Sequence, residues 1–397
     1  MSKLDELISV LCPDGVPYKY LSECCSLEKG KTPIQKAIPG EYPLVVTTAE
    51  RKTSNDYQFD GAAVCIPLVS SRGHGVACLN AVYYQEGKFA LGNILCGVTP
   101  HDNSGLSAKF LYYYLNLKKD TLIVPLMKGG ANVSLTVNSL KTIKMPIPPL
   151  EVQMEVIRLV DKFEELISAL ESELEERWLQ YEYYRNSLFE FRDDIEVVTL
   201  KDICKKICSG GTPKSTNKEY YDGDIPWLRT QEVDWDDIYD TGVKITQKGL
   251  DNSSAKWIPA NCLIIAMYGA TAAKVAINRI PLTTNQACCN LEIDESKADL
   301  RYVFHWMSRE YLKLKDMGQG SQSNINAVIV KNYPIPLPSI EEQKRISDVL
   351  DKWYSLVKST EIGIPAEIEA RKIQYEYYRN TLLQFKEKYK KETSYEN

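Results

Sequence analysis

The sequence predicts an α+β protein: two mixed α/β domains separated by two long helices that pair as an antiparallel coiled coil. Three observations lead there. The chain repeats itself at a period near 190 residues, and each copy ends in a heptad-patterned segment. The stretches before those segments read as short strands and helices broken by Gly, Pro, Asn and Asp.

The repeat is the strongest of these. Pro146-Ile-Pro-Pro-Leu-Glu-Val-Gln153 is matched by Pro336-Leu-Pro-Ser-Ile-Glu-Glu-Gln343, an offset of 190, and Asp161-Lys-Phe163 by Asp351-Lys-Trp353 at the same offset. Gln180-Tyr-Glu-Tyr-Tyr-Arg-Asn186 recurs unchanged as Gln374-Tyr-Glu-Tyr-Tyr-Arg-Asn380, an offset of 194, so the second copy holds four extra residues. More faintly, Lys109–Leu115 resembles Arg301–Met307, Met127–Gly130 resembles Met317–Gly320, and Gly30-Lys-Thr-Pro33 resembles Gly210-Gly-Thr-Pro213. Between these anchors Ile34–Gly105 and Lys214–Asp299 show little likeness. A solenoid repeats every 20–50 residues, so this is a duplicated domain-plus-helix unit with a shared frame and different contents.

The helical segments follow Pro148 and Pro149, where a missing N–H costs little at a helix start. Val160, Phe163, Ile167, Leu170, Leu174, Arg177, Tyr181, Tyr184, Leu188 and Phe191 step by threes and fours, the seam of a coiled coil. The second copy repeats it at Ile346, Leu350, Trp353 and Val357. It resumes at Ile368, Arg371, Tyr375, Tyr378, Leu382 and Phe385, with Gly363 and Pro365 breaking the helix between. Either the two stripes bury each other, antiparallel, or each packs on its own domain; the length of the heptad run favours mutual pairing. Arg177 and Arg371, at equivalent seam positions, are then each expected to pair with a glutamate of the opposite helix. A pair about 40 residues long spans roughly 60 Å, a rod that holds two domains a set distance apart.

The resulting division is 1–145 and 193–333 for the two domains, 146–192 and 334–390 for the helical regions, and 391–397 for a flexible tail. Tyr42–Thr47, Ala62–Val69 and Cys262–Ala266 read as strands, and Lys109–Leu117 and Leu300–Leu314 as amphipathic helices. The aromatic clusters of those helices, Tyr112 to Tyr114 and Tyr302, Phe304 and Trp306, are either core or base-stacking platforms; helical spacing favours core.

Composition removes several function classes. No run of about 18 apolar residues occurs, and the first residues lack the charged-then-apolar pattern of a secretion signal, so a cytoplasmic protein with no membrane association is expected. The 11 cysteines are scattered and odd in number, which suits reduced, buried thiols better than a disulfide framework. Cys204 and Cys208 have the spacing of half a zinc site, but no second pair stands near them and the chain has only three histidines. Net charge is −5, with 11 acidic against 5 basic residues in 151–192 and near-neutral domains on either side. That is compatible with a basic face on each domain without demanding one.

Phosphate-binding, dinucleotide-binding, zinc-protease and serine-hydrolase motifs are all missing, as is the Asn/Asp-Pro-Pro-Tyr/Phe motif of an adenine methyltransferase. Asp236 and Asp237 could hold a metal only if other ligands joined them. The chain reads as a binder without catalytic residues. Polar loops carry its candidate contacts: Lys31, Thr32, Arg72, Lys128 and Asn132 in the first domain, and Thr212, Lys214, Arg229, Gln231, Lys274, Gln319, Gln322 and Asn324 in the second. Asn and Gln suit adenine, and Arg and Lys suit guanine or phosphate, although the same loops also make ordinary solvated turns.

Together the two Gly-x-Thr-Pro openings, the paired Pro-x-Pro…Glu-x-Gln helix starts and the duplicated Gln-Tyr-Glu-Tyr-Tyr-Arg-Asn segments resemble the specificity subunit of type I restriction–modification systems, over nearly the whole chain. The resemblance implies that 1–145 and 193–333 are target recognition domains, each reading one half of a split sequence in double-stranded DNA. It implies that the helices set the spacing and dock two methyltransferase subunits, and that restriction subunits join through them. S-adenosylmethionine, ATP and Mg would then belong to those partners, and this chain would need no cofactor or metal. The Gly363–Pro365 insertion departs from a regular spacer. The rival reading is a two-domain coiled-coil scaffold without nucleic-acid binding.

Overall fold

A computed structural model describes residues 3–48, 50, 52–192, 194–318, 324–359 and 361–388. It divides into two compact units, one of residues 1–169 with 368–397 and the other of 170–367. Five helices organise the units: α1 (Ala108–Lys118), α2 (Leu150–Leu188), α3 (Leu300–Arg309), α4 (Ile340–Lys358) and α5 (Ile364–Leu382). The first half of α2 belongs to the first unit and the rest to the second, while most of α5 belongs to the first.

The first unit is built on six main strands: β1 (Cys25–Lys29), β2 (Tyr42–Val45), β3 (Ala63–Pro67), β4 (Tyr83–Gln85), β5 (Lys88–Leu91) and β6 (Leu95–Pro100). One antiparallel sheet has the order β1-β6-β3-β4. A second sheet centres on β2 and β5, which run parallel with Leu44 opposite Ala90, flanked by Lys52–Ser54 and Phe59–Asp60. Every residue of β3 is buried, as its unbroken apolar run requires for a strand covered on both faces. Helix α1 covers one face with Phe110, Leu111 and Leu115, and Tyr113 and Tyr114 are buried beside them, so this aromatic cluster is core.

The second unit repeats the plan with β7 (Cys204–Ser209), β8 (Tyr221–Leu228), β9 (Cys262–Ala266), β10 (Val275–Asn278), β11 (Leu282–Thr284) and β12 (Cys288–Ile293). Its first sheet has the order β7-β12-β9-β10, extended by Asp237–Ile238, and its second pairs β8 and β11 in parallel. Tyr302, Phe304 and Trp306 of α3 are buried in its core. The two stretches that share almost no sequence therefore share their strand order and sense. Burial asks only for apolar residues at alternating or continuous positions, so the frame survives replacement of nearly every side chain.

The repeated Pro-rich motif closes each unit. Lys144–Pro146 pairs antiparallel with Tyr18–Tyr20, and Pro334–Pro336 pairs with Val197–Thr199. The ends of each domain are thus pinned together before its helix begins. The cysteines are free thiols, mostly buried. Among the described residues no group of three or more His, Cys, Asp or Glu converges as a metal cluster, and no helix is long and apolar enough to cross a membrane.

The break expected in the second helical region is present: α4 stops at Lys358 and α5 starts at Ile364. Gly363 packs so closely that a Cβ would lie 2.6 Å from the carbonyl oxygen of Ser355, which accounts for the glycine inside the insertion. Arg177 meets Glu173 at 3.2 Å and Gln180 at 2.9 Å, both on its own helix, instead of a glutamate opposite. The i,i+4 neighbour is in reach without desolvating the guanidinium in a seam. Arg371 donates to Gln374 of its own helix at 2.8 Å.

Candidate nucleic-acid interface

Strand sense decides where the polar loops gather. In the first unit β1 and β3 end, and β6 begins, at one end of the sheet: Lys29 lies opposite Cys96 and Pro67 opposite Leu95. The segments after β1, after β3 and before β6 must therefore share that end. Backbone hydrogen bonds tie them together, from Gly30 N–H to Leu95 O at 2.9 Å, Thr32 N–H to Leu91 O at 3.1 Å and Leu68 N–H to Ile94 O at 2.8 Å. The glycine of the Gly-x-Thr-Pro opening is there for close approach: a Cβ on Gly30 would sit 2.1 Å from Gly92 O.

The segment Lys128–Ser134, far away in sequence, is zipped onto the loop after β3. Ser70 N–H donates to Val133 O at 3.0 Å and Gly75 N–H to Ala131 O at 3.2 Å, and Lys128 and Ser134 pair with each other. Lys31, Arg72, Lys128 and Asn132 are exposed at this end and Thr32 is half-buried. None of the three cations joins an ion pair among the described residues, so their charge faces solvent. Gln58, which the sequence reading passed over, braces the first loop: it accepts from Lys31 N–H at 2.9 Å and donates to Lys29 O at 3.0 Å.

The second unit repeats the arrangement with a different charge distribution. Ser209 lies opposite Cys289 and Ala266 opposite Cys288, so the loops after β7, after β9 and before β12 share one end. A Cβ on Gly210 would stand 2.0 Å from Thr284 O, the counterpart of the Gly30 contact. Asn285 N–H reaches Leu228 O at 2.9 Å and the Thr271 hydroxyl donates to Thr230 O at 2.7 Å, which draws the Arg229–Glu232 turn into the same cluster. Asn324 joins through Gly269 N–H at 3.4 Å. Gln319 and Gln322 lie outside the described residues.

Here two of the cations are held within the protein. Lys274 pairs with Asp234 at 2.5 Å, and Arg229 approaches Glu232 at 3.7 Å. Gln231, with its amide oxygen turned toward that guanidinium, accepts from it at 3.2 Å. Thr212 donates to Gln286, an exposed residue in the three-residue link between β11 and β12 that no motif singled out. Lys214 is exposed. Asp236 and Asp237 are not a vacant acid pair: Asp237 meets Arg279 at 2.8 Å and Arg301 at 3.3 Å, and Asp236 meets Lys358 at 3.4 Å.

The opposite side of each domain seats its helix, and the repeated motifs build the seat. Gln153 is fully buried; its oxygen accepts from Ser107 N–H at 2.9 Å, and its amide donates to Gly105 O and Pro148 O at 2.7 Å. Gln343 does the same with Asp299 N–H at 2.9 Å, Lys297 O at 3.4 Å and Pro338 O at 2.8 Å. Asp161 accepts from Lys109 at 2.7 Å and from Tyr113 at 2.5 Å. Asp351 accepts from Arg301 at 2.8 Å and from His305 Nε2 at 2.7 Å.

Each seat is completed by the tyrosine segment of the other repeat. In the first unit Tyr375 donates to Glu164 at 2.7 Å and Tyr378 stacks on Phe163. In the second Tyr181 lies 3.3 Å from His305 Nδ1, and Tyr184 lies against Trp353. Burial pushes the Tyr181 hydroxyl up to about 12 and the Tyr375 hydroxyl higher still, so both remain protonated donors. Burial lowers the pKa of His305 despite the Asp351 carboxylate, which keeps the imidazole neutral. Val357, Ile368 and Tyr181 are buried, and Ile167, Leu170, Leu174, Arg371, Leu188 and Leu382 half-buried along the seam.

Comparison with known proteins agrees with this duplicated plan. Residues 13–177 and 192–370 both match the type I restriction modification DNA specificity domain. The chain is 33% identical over 302 residues to the type I restriction enzyme EcoR124I/EcoR124II specificity subunit of Escherichia coli, covering 72% of this chain and 73% of that one. It is 26% identical to a putative type I specificity subunit of Mycoplasma pneumoniae, covering 93% and 98%. The crystal structure of the type I restriction–modification S subunit from M. genitalium superposes with a TM-score of 0.58 at 14% identity, over 93% of this chain and 96% of that chain. A chain from a structure of a type I R-M system, solved for its complex assembly and conformational transition, reaches 0.63 at 14% identity, over 93% and 98%. With two matched domains on a duplicated fold, the chain belongs to the specificity subunits of type I restriction–modification systems, DNA-recognising subunits without catalysis of their own.

Proposed function

We propose that the two loop clusters are the reading heads of a bipartite DNA target, 1–145 and 193–333 each contacting one half. The observation that carries this is the pairing of one strand topology with two dissimilar sets of exposed side chains at the same end of each sheet. A shared frame with different polar tips is what two readers of different base sequences require. Lys31, Arg72, Lys128 and Lys214 are assigned to phosphate contact. Asn132, Thr212, Arg229, Gln231 and Asn324, with Thr32, Lys274, Gln319 and Gln322, are assigned to the base edges or the groove walls.

The helical regions 146–192 and 334–390 set the gap between the half-sites and dock two methyltransferase subunits, through which restriction subunits join. Antiparallel pairing of the helices is supported by the order of the aromatic partners: Phe163 meets Tyr378, and Tyr184, further along α2, meets the earlier Trp353. S-adenosylmethionine, ATP and Mg act in the partner subunits, and the complex works in the cytoplasm. The expected tail at 391–397 lies outside the described residues.

The test is co-expression with the neighbouring methyltransferase gene and mapping of modified adenines across the host genome. A split motif that disappears when this chain is omitted is the expected result. Replacing 34–105 with the corresponding module of another such chain changes one half of that motif. A change in both halves would sink the division of labour. A soluble complex without new methylation would favour the scaffold reading instead.

A further inference from the structure

One cavity of about 330 Å³ is lined entirely by the second unit. That volume lies within the range of about 300–1,000 Å³ that holds small-molecule ligands. Its wall is aromatic: Trp178 and Tyr181 of α2, Tyr354 of α4, Tyr311 just past α3, and Trp235 from the connection between β8 and β9. The repeat did not supply this wall. On the offsets that align the two copies, the first has Lys372, Glu164 and Lys119 where the second has Trp178, Tyr354 and Tyr311. Spacing and partner docking are shared by both copies, so neither accounts for a set of rings present in one.

Trp235 is held at this wall under strain. Its φ is 66°, a left-handed backbone that a bulky residue rarely adopts and that persists where the surroundings over-determine it. Its N–H donates to Val275 O at 3.0 Å, its carbonyl oxygen accepts from the Tyr354 hydroxyl, and its indole meets Tyr311 edge to face at 5.0 Å. Tyr181 and Tyr354 lie 5.5 Å apart, and Trp178 meets both edge to face. Rings fixed by one another in this way lose little entropy when a ligand enters.

The charge at the wall is cationic in excess. Arg309 is engaged by Glu310 at 2.7 Å and Lys358 by Asp236 at 3.4 Å. Arg185 joins no ion pair among the described residues: it lies over the Tyr181 ring at 5.4 Å, and its Nε is buried without a hydrogen-bond partner. A buried donor left unmade costs free energy that an anion within reach would recover. Glu182, exposed at the same wall, offers an acceptor for a hydroxyl.

We propose that this cavity binds one mononucleotide per chain, with the base against the aromatic wall, the phosphate on Arg185 and a ribose hydroxyl on Glu182. Fixed aromatic rings stack any base, and a guanidinium takes phosphate in a fork. None of the residues assigned to base or phosphate contact with DNA lines the cavity, so the site stands apart from the reading of the target.

The experiment titrates the purified full chain with AMP and GMP, and with adenosine and inorganic phosphate as controls, by calorimetry and tryptophan fluorescence. AMP and GMP are expected to bind one site per chain with a Kd below about 1 mM and to quench the fluorescence, since Trp178 and Trp235 line the cavity. Adenosine and phosphate, each with part of the contacts, bind about 10-fold more weakly or worse. Arg185→Gln weakens AMP by about 10-fold or more and leaves adenosine unchanged, a split that a general loss of packing would not produce. Trp178→Lys, which installs the first copy's residue, weakens AMP and adenosine alike. Displacement of AMP by a 5′-phosphorylated oligonucleotide would overturn the free nucleotide as occupant in favour of a strand end. No saturable binding of either nucleotide, or affinity undiminished in both variants, would overturn the site and leave the DNA-reading role standing.

Discussion

Tyr378 stacks on Phe163 with ring centroids 5.4 Å apart and planes 25° apart, and Tyr184 lies on Trp353 at 5.4 Å and 31°. The two pairs are the same contact made twice, since Phe163 and Trp353 are equivalent in the repeat, as are Tyr378 and Tyr184. In each case the aromatic residue on the helix of one copy is covered by the tyrosine segment of the other.

Because the contact is partly exposed, its loss should be felt but survived. Tyr378→Ala is expected to destabilise the first unit by about 1–2 kcal/mol, the worth of an aromatic pair plus the area it covers. Chemical denaturation followed by tyrosine and tryptophan fluorescence measures it. A midpoint equal to wild type would show that the segment contributes nothing to that unit.

The buried glutamines should cost more. Gln343→Leu keeps the volume but strands Asp299 N–H and Pro338 O, both of which Gln343 satisfies. With buried polar groups left unpaired at about 1–3 kcal/mol each, a loss of roughly 2–4 kcal/mol is expected, and the same for Gln153→Leu. Equal stability of the Leu variants would mean that water replaces the amide.

His305 makes the second unit sensitive to acid. It is buried among Asp351, Arg301, Arg185 and Tyr181, and its folded pKa is lowered. The unfolded imidazole titrates near about 6.5, so the unfolded state takes up the proton first. The contribution is therefore whole above that pH and is lost as pH falls toward the folded value. Thermal melting between about pH 7 and pH 5 should show stability falling, and His305→Tyr, which installs the residue found at the equivalent Tyr113, should flatten that slope. Wild-type stability rising over this window would contradict it.

The loop ends divide by role. Arg72→Ala and Lys128→Ala should weaken DNA binding for all sequences alike and each reduce the slope of log affinity against log salt by about 1. Arg229→Ala should instead relax discrimination at one base pair by about 1–3 kcal/mol, in the half read by the second unit. Competition binding against single-base variants of the target separates the two. A uniform loss for Arg229→Ala would move that residue to the phosphate class.

Removal of the four-residue insertion near Gly363 should alter the gap between half-sites or abolish assembly, since α4 and α5 are separate helices there. Methylation mapping reads the gap directly. The same gap with normal assembly would refute a spacing role for this segment.

What the sequence by itself determined was whatever depends on residue type and period. The duplication, the strand at Cys262–Ala266, the core role of Tyr302 and Phe304, and the break near Gly363 all follow from apolar periodicity or from glycine and proline geometry. The candidate loops were legible for the same reason, because Gly, Asn and Lys mark turns before they mark contacts. Tertiary structure alone decided the rest. It joined Lys128–Ser134 to the loop carrying Arg72, and Thr271 to the turn carrying Arg229. It also gave Gln153 and Gln343 their meaning, as staples between a helix start and a loop more than 40 residues away. Such contacts are set by strand sense and register over long separations, and no local pattern of side chains encodes them.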